Sequence, residues 1–239
     1  IKLIHDHLLR SSVQESTLFD EIDAAINAGK HQPVQTATEL PEISKPSEEL
    51  YQDISSPTEK GIPSHPYEFH YKQLFSSTDL MWMDRATGFT HALKNREIGY
   101  YGEVPYSYGG VIHEARSISS NPYLNEMFEK VQKDFPALKI NSALVTRYGR
   151  AGSHLPAHSD DESSIVPASS IITVSLGQTR KLHFKHRRDR SDVTTLELRH
   201  GDIFVMSRDS QEFFTHEVLP SEDPRKEPEI RISITFRNL

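Results

Sequence analysis

The stretch RISITFR, residues 231–237, alternates polar and apolar side chains along its whole length. Successive side chains of a β-strand point to opposite faces of a sheet, so the alternation predicts a strand with one polar and one apolar face. We assign the apolar, even-numbered face to the core. The odd-numbered face runs from Arg231 to Arg237 and can either meet water or line the interior. In the interior, the two guanidinium groups would need buried anions as partners.

Six earlier segments share this two-residue period and predict further short strands. They are SALVTRY (142–148), SIITVSL (170–176), KLHFKH (181–186), TTLELRH (194–200), DIFVMS (202–207) and FFTHEVL (213–219), with turn signals such as GQT and HGD between them. Helical patterns precede them over 67–95 and over 121–135, where Asn121 suits the N-cap and Pro122 the first helical position. Helices followed by a run of strands favour an α+β domain whose strands close into a sandwich or jelly roll.

Residues 1–65 differ from the rest of the chain in composition. They carry 5 Lys and Arg against 11 Asp and Glu, and they hold five prolines, from Pro33 to Pro63. Such a segment has too little apolar surface to offset chain entropy, so we predict that it is mostly disordered, with one possible helix over 11–29. We expect the folded domain to cover 66–239. Because the chain begins with Ile1, we also expect it to be part of a longer protein.

Composition also excludes several classes of protein and site. No apolar run approaches the roughly 18–20 residues that a membrane helix needs. The chain has no cysteine, which excludes disulfides, thiolate metal sites and cysteine nucleophiles. The lack of cysteine is compatible with a reducing compartment, and we expect a cytoplasmic monomer.

A histidine and a carboxylate stand two residues apart in GSHLPAHSDDESS, residues 152–164. Pro156 disfavours a helix there, and on an extended segment His158 and Asp160 would point to the same side and could grip one cation. His216 in FFTHEVL is the best candidate for a third ligand. Two histidines and one carboxylate leave three metal positions open, as in non-haem Fe(II) oxygenases. With 13 histidines in the chain, a chance HxD pair remains an alternative.

A basic cluster, RKLHFKHRRDR, occupies residues 180–190 and holds six basic residues and one acid. It is either the solvated turn of a hairpin or a rim that contacts the phosphates of a nucleic acid. In the second case Arg187 and Arg188 would bind the phosphate backbone.

Taken together, HSD, His216 and RISITFR resemble the AlkB family of Fe(II)- and 2-oxoglutarate-dependent dioxygenases. TRYGRAG, SLGQTR and LRHGDIFVM add to the likeness, which covers 97–239 and more loosely 67–96. The HSDDE form is also similar to AlkB domains within plant RNA virus replicases. The resemblance implies a double-stranded β-helix (jelly roll) with N-terminal supporting helices. It also implies that His158, Asp160 and His216 bind Fe(II).

The same resemblance assigns the co-substrate site. Arg231 would pair with the distal carboxylate of 2-oxoglutarate, and Arg237 would lie near Asp160 and the other end of the co-substrate. Tyr148 would donate a hydrogen bond to it, and Ser233 and Thr146 would complete the site. The family often has asparagine where this chain has Thr146, so the role of this shorter side chain is open.

For the substrate, the resemblance identifies YYGEVPYSYGG, residues 100–110, as a lid over a flipped base. Tyr108 would stack on the base opposite the His158 ring, Tyr106 would touch its edge, and Glu162 would accept a bond from its amino group. A tyrosine-rich loop is otherwise often structural, and Glu162 could be a solvated loop acid.

The implied reaction is oxidative demethylation of N-methylated bases, such as 1-methyladenine or 3-methylcytosine, in RNA or single-stranded nucleic acid. It would consume O2 and 2-oxoglutarate and release formaldehyde. The alternatives are a demethylase of N6-methyladenine in RNA, a protein or small-molecule hydroxylase on the same fold, a zinc hydrolase with the same three ligands, and a non-catalytic binding module.

Overall fold

The computed structural model describes residues 66–67, 69–71, 75, 77–93, 95–149, 152–167, 169–206, 208–221 and 230–239. The possible helix over 11–29, the tract predicted to be disordered and the proposed boundary at residue 65 all lie outside these residues. None of the helices that the structure describes has the length and apolar character needed to cross a bilayer.

Strands dominate the described part of the chain. They are β1 (Phe69–Tyr71), β2 (His91–Leu93), β3 (Arg96–Tyr101), β4 (Tyr106–Tyr108), β5 (Val111–His113), β6 (Ser142–Tyr148), β7 (Leu155–His158), β8 (Ile171–Gly177), β9 (Arg180–His186), β10 (Val193–Leu198), β11 (Ile203–Met206), β12 (Phe214–Val218) and β13 (Arg231–Arg237). The α-helices are α1 (Ser77–Ala86), α2 (Pro122–Asp134) and α3 (Arg208–Phe213), and a 3-10 turn covers Ile118–Ser120.

The strands form two main sheets and a hairpin. The larger sheet has the order β1-β11-β8-β13-β6-β3-β2, the smaller one β10-β9-β12-β7, and β4 pairs with β5. Neighbouring strands run antiparallel in each of them. This antiparallel, two-sheet arrangement fits the predicted jelly roll.

β13 lies in the middle of the larger sheet, between β8 and β6. Its apolar residues Ile232, Ile234 and Phe236 are completely buried in a core that also contains Met83 of α1 and Leu124 of α2. The helices therefore cover this face of the sheet. Strand alternation turns Arg231 and Arg237 to the opposite face, where they are also buried. The polar face of β13 thus lines the interior.

α2 begins where the sequence predicts. The Asn121 side chain accepts a hydrogen bond from the Leu124 backbone N–H at 3.2 Å, and Pro122 fills the first helical position. Leu124, Met127 and Val131 recur at helical spacing and are buried. Asn121 also donates to the Ala86 carbonyl at 3.3 Å, so the cap connects the start of α2 to the end of α1.

The seven predicted strands are all present, as β6 and β8–β13. The turn signal before β9 is also explained, because Gly177 has a φ of 84° and an added Cβ would collide with the Ile230 carbonyl oxygen.

The helical prediction over 67–95 is wrong at both ends. Of the described residues in this range, 77–86 alone are helical, while β1 and β2 pair with β11 and β3 at the two edges of the larger sheet. Strands of three residues show too little alternation to be recognised, and their pairing is decided by the sheet that they join. β4 and β5 were missed for the same reason, and β3 was missed because its six residues, REIGYY, do not alternate between polar and apolar side chains.

Candidate active site

A cavity lies between the two sheets and contains most of the predicted site residues. Its lining comes from β6, β8, β11 and β13 on one side and β7, β9 and β12 on the other, with Tyr108 from the β4–β5 hairpin. The polar members are Tyr108, Thr146, Tyr148, His158, Asp160, Thr173, His216, Arg231, Ser233, Thr235 and Arg237.

The three predicted metal ligands converge at one end of the smaller sheet. His158 ends β7 and lies directly opposite His216 of β12, with ring centroids 4.2 Å apart. Asp160 follows two residues later, and its Oδ1 is 3.4 Å from His158 Nε2. One ligand atom from each of the three residues lies within 4.8 Å of the others.

These residues fit a divalent transition metal. Adjacent ligands of a six-coordinate ion, each about 2.1 Å from it, lie about 3 Å apart. The 3.4 Å between His158 Nε2 and Asp160 Oδ1 is close to this spacing. Asp160 Oδ1 is buried and has no hydrogen-bond partner among the described residues, so one carboxylate oxygen remains to bind an ion. Two imidazoles and a carboxylate match the donor set of Fe(II) oxygenases.

Asp160 is held by its side chain and by its backbone. Its other carboxylate oxygen accepts a hydrogen bond from Arg237 Nη2 at 2.9 Å, and its backbone N–H donates to Gln211 Oε1 at 3.0 Å. Burial alone would raise the pKa of Asp160, but Arg237, His158 and His216 together hold it well below its usual value. Asp160 is therefore ionised and ready to bind a cation.

The two histidines have opposite pKa shifts. Burial, followed by the neighbouring His158, lowers the pKa of His216 to about 3, so its ring is neutral at neutral pH. For His158, burial would lower the pKa, but the neighbouring Asp160 carboxylate raises it. His158 Nδ1 contacts the Pro156 carbonyl oxygen at 2.9 Å. The other ring nitrogen, Nε2, is therefore the one that can bind an ion in the cavity.

Arg231 lies in the same cavity without a carboxylate partner among the described residues. It is 1% exposed, its Nε donates to Ser175 Oγ at 3.2 Å, and its guanidinium lies 4.9 Å from the centre of the Tyr148 ring. Its Nη1 has no hydrogen-bond partner within the described part of the chain. A buried guanidinium in this state is suited to bind a carboxylate ligand.

The remaining co-substrate candidates line the same wall. Ser233 lies between Thr146 of β6 and Ser175 of β8 in the sheet, and Tyr148 is the β6 partner of Arg231. All of them are buried, so the wall presents hydroxyl groups between the two arginines.

The two candidate lid tyrosines lie on β4, over the cavity. Their rings are nearly parallel, at an angle of 15° and a centroid distance of 6.2 Å. Tyr108 lines the cavity, and its hydroxyl accepts a hydrogen bond from Arg96 Nη1 at 3.3 Å. Tyr106 is buried, with the Arg237 guanidinium 5.6 Å from its ring centre.

Glu162 is half-buried beyond the metal ligands. Its Oε2 is buried and, like the Tyr106 hydroxyl, has no hydrogen-bond partner among the described residues. Burial raises the pKa of Tyr106, although Arg237 opposes this, so the hydroxyl stays protonated and can donate. Glu162 also raises the pKa of Tyr106, so these two side chains, one an acceptor and the other a donor, lie close together near the lid.

The family model described as "2OG-Fe(II) oxygenase superfamily" matches residues 30–237. The chain belongs to this superfamily. Its match begins within the proline-rich tract that precedes the described residues.

Curated relatives of this oxygenase confirm the predicted AlkB resemblance. The "RNA replication protein" of Grapevine virus A is 28% identical over 96% of this chain and 12% of its own length. The human "Alpha-ketoglutarate-dependent dioxygenase alkB homolog 3" is 28% identical over 67% of this chain and 58% of its own. The Arabidopsis thaliana "DNA oxidative demethylase ALKBH2" is 29% identical over 54% of this chain and 48% of its own. The oxygenase chain thus spans less than two thirds of each.

Among solved structures, OsALKBH1 matches with a TM-score of 0.48 and 14% sequence identity, over 73% of this chain and 99% of that one.

The arginines in the basic cluster of the oxygenase make different contacts. It forms β9 and the turn that follows, and Arg188 is exposed there. Arg187 instead turns back onto the protein, where its Nη2 lies 2.6 Å from Ser159 Oγ, 3.2 Å from the Gln211 carbonyl and 3.3 Å from Asp161 Oδ2. The phosphate contact predicted for both arginines is therefore better suited to Arg188.

Three residues near the site of the oxygenase were not identified from the sequence. Gln211 binds the Asp160 backbone, Ser175 binds Arg231, and Arg96 binds Tyr108. Ser175 could have been found, because it and Thr173 share one face of the predicted strand 170–176. The contacts of Gln211 and Arg96 depend on tertiary pairing and leave no signal in the local sequence.

Proposed function

We propose that this chain is an Fe(II)- and 2-oxoglutarate-dependent dioxygenase that removes N-methyl groups, such as those of 1-methyladenine or 3-methylcytosine, from RNA or other single-stranded nucleic acid. The observation that carries the proposal is the His158, Asp160 and His216 cluster in one cavity with the buried Arg231. The names of the human and plant relatives support the reaction class, and that of the viral relative supports RNA.

The chain's residues would bind and orient both groups. His158, Asp160 and His216 would hold Fe(II), and Arg237 keeps the Asp160 carboxylate anionic through its hydrogen bond to Oδ2. Arg231 would bind the distal carboxylate of 2-oxoglutarate, with the hydroxyls of Tyr148 and Ser233 beside it. With O2, the bound iron and 2-oxoglutarate supply the oxidising power that releases the methyl group as formaldehyde. The protein contributes position and the exclusion of water.

The substrate would enter from the side of the β4–β5 hairpin. Tyr108 would stack on an unpaired base, since an aromatic face accepts any base, and the base would lie between this ring and His158. Glu162 would accept a hydrogen bond from the amino group of the base, and Tyr106 would contact its edge. Arg188 would bind the phosphate backbone outside the cavity.

The test is a panel of RNA and DNA oligonucleotides that carry single methylated bases, incubated with enzyme, Fe(II) and 2-oxoglutarate and weighed by mass spectrometry. We expect loss of the methyl group from single strands carrying 1-methyladenine or 3-methylcytosine. Asp160→Ala is the matched control and should leave every substrate unchanged. If wild-type enzyme consumes 2-oxoglutarate but leaves every oligonucleotide methylated, the hydroxylase alternative is favoured instead. Loss of methyl from N6-methyladenine alone would identify a different base specificity.

A further inference from the structure

The loop that carries Asp160 is held from both sides by a single guanidinium. Arg187 Nη2 lies 2.6 Å from Ser159 Oγ and 3.3 Å from Asp161 Oδ2, so it contacts the residues immediately before and after the metal ligand. The sequence gives no indication of this contact, because Arg187 belongs to a charge cluster of six basic residues.

Arg187 Nη2 also contacts Gln211, whose side chain is hydrogen-bonded to the Asp160 backbone. It lies 3.2 Å from the Gln211 carbonyl oxygen, and the Gln211 side chain accepts the hydrogen bond from the Asp160 backbone N–H. Gln211 is 2% exposed, and its amide donates to Ser210 Oγ at 3.2 Å, which fixes the orientation of the side chain. Arg187 and Gln211 therefore form one connected set of contacts around the Asp160 backbone.

This set of contacts is anchored to the smaller sheet. The Arg187 backbone N–H donates to the Phe213 carbonyl at 2.7 Å, and Ser159 Oγ donates to the Phe214 carbonyl at 2.9 Å. Phe214 begins β12, the strand that carries His216. The loop with one metal ligand is thus tied to the strand with another, and the distance between the two ligands depends on these bonds.

We infer that Arg187 is a positioning residue for the metal centre, acting through Ser159, Asp161 and Gln211 rather than on substrate phosphates. Metal affinity depends on how well the ligands are held before the ion binds, because ordering them costs free energy. The inference rests on the proposed metal site, and it assigns to Arg187 a role in binding the ion that neighbouring arginines of the cluster do not share.

The experiment uses the full chain and Co(II), whose visible absorption bands report both binding and coordination geometry. Arg187→Gln removes the charge and the short contact to Ser159. We expect the Co(II) dissociation constant to rise roughly tenfold or more and the bands to change, since loss of outer contacts typically costs about 10- to 100-fold in metal affinity. Arg190→Gln is the matched control, because Arg190 is exposed on the same turn, and it should bind Co(II) as wild type does.

Two further variants separate positioning from general stability. Arg187→Lys should recover most of the affinity, because all three acceptors contact one nitrogen, which an ammonium group can replace. Ser159→Ala removes the nearest acceptor without changing charge and should weaken Co(II) binding even if Arg187→Gln does not fold. Circular dichroism of each metal-free variant checks that the fold is intact.

The outcomes distinguish this inference from the proposed function. If wild type binds Co(II), Asp160→Ala does not, and both Arg187→Gln and Ser159→Ala match wild type in affinity and spectrum, then the positioning role is overturned and the metal site stands. If Asp160→Ala binds Co(II) as tightly as wild type, the proposed metal site is wrong and the inference fails with it.

Discussion

The two buried arginines of the cavity differ in whether a carboxylate neutralises them. Asp160 and Arg237 neutralise each other at 2.9 Å, whereas Arg231 has the Ser175 hydroxyl and the Tyr148 ring as its partners among the described residues. Burial lowers the pKa of Arg231, although the nearby Tyr148 opposes this. An anionic ligand beside Arg231 would therefore relieve an unfavourable buried charge.

Replacing Arg231 tests this site. Arg231→Lys keeps the charge but loses the planar fork that binds a carboxylate with two parallel bonds. We expect the 2-oxoglutarate concentration at half-maximal turnover to rise roughly tenfold or more, equivalent to about 1.4 kcal/mol. Initial rates at varied 2-oxoglutarate measure this, and Arg199→Lys, an exposed arginine paired with Glu197, is the control. An unchanged requirement would mean that Arg231 does not hold the co-substrate.

His216 determines part of the pH dependence of stability in the metal-free protein. Burial, followed by His158, lowers the pKa of His216 from 6.5 to about 3. Between these values the unfolded chain carries a proton on this ring that the folded chain does not, so the contribution is present above pH 6.5 and is lost as pH falls. Relative to His216→Leu, the free energy of unfolding of wild type should fall by about 2 kcal/mol from pH 6.5 to pH 5. Urea unfolding of both metal-free proteins measures it, and parallel pH profiles would contradict the expectation.

At residue scale, the sequence predicts the candidate metal ligands and the two arginines. It does not predict the residues that hydrogen-bond to them. The HxD spacing, a third histidine and the paired arginines led to the site because two-residue spacing places side chains on one face. Gln211 lies 51 residues from Asp160, and no local pattern marks a glutamine that will bind a distant backbone N–H. A charge cluster likewise does not indicate that Arg187, although itself exposed, contacts Ser159, Asp161 and Gln211.

At the scale of elements, the cap of α2 also holds α1. Asn121→Ala would remove the acceptor for the Leu124 N–H and the donor to the Ala86 carbonyl. We expect a loss of about 1–2 kcal/mol in the free energy of unfolding, because Asn121 is buried and leaves both groups without their partner. Denaturant unfolding measures this. Asn125→Ala, a partly exposed position on the same helix, should cost much less, and equal costs would show that the cap is unimportant.

The β4–β5 hairpin and the turn after β9 should contribute different forces to substrate binding. Tyr108→Ala removes a stacking face worth about 1–3 kcal/mol, so its effect should hardly depend on salt. Arg188→Ala removes a phosphate contact and should flatten the salt dependence of affinity by roughly 0.7 in log–log slope. Binding of a methylated single strand at several salt concentrations measures both. If Arg188→Ala keeps the wild-type slope, the exposed turn is only solvated, and if Tyr108→Ala costs nothing, the hairpin is not the lid.

Strands bounded by clear turn signals were predictable, down to the four residues of β11, and strands of three residues were not. Among the described residues of the predicted helical range 67–95, α1 is the one helix. The two ends of the range contain β1 and β2, strands of three residues that join the larger sheet. The sheet that such strands pair with decides their conformation, and its other strands are remote in sequence.

At the scale of the whole molecule, the smaller sheet brings the candidate ligands His158, Asp160 and His216 together, and the larger sheet adds Arg231 and Arg237 to the same cavity. The acidic composition of residues 1–65 predicts that they are not needed for this chemistry. Deleting residues 1–62 should leave demethylation of a short oligonucleotide intact, measured by mass spectrometry beside the full chain. Because the family match begins at residue 30, loss of activity with an intact fold would assign residues 30–62 to the functional domain.

The two faces of β13 place different limits on how this chain can diverge. Its odd-numbered residues each meet a charge or a hydroxyl, so few residue types can replace them. Its even-numbered residues fill an apolar core, where another side chain of similar volume costs little. Related sequences can therefore differ at the even-numbered residues of β13 while the odd-numbered residues stay the same. Low overall identity between relatives is compatible with an unchanged reaction.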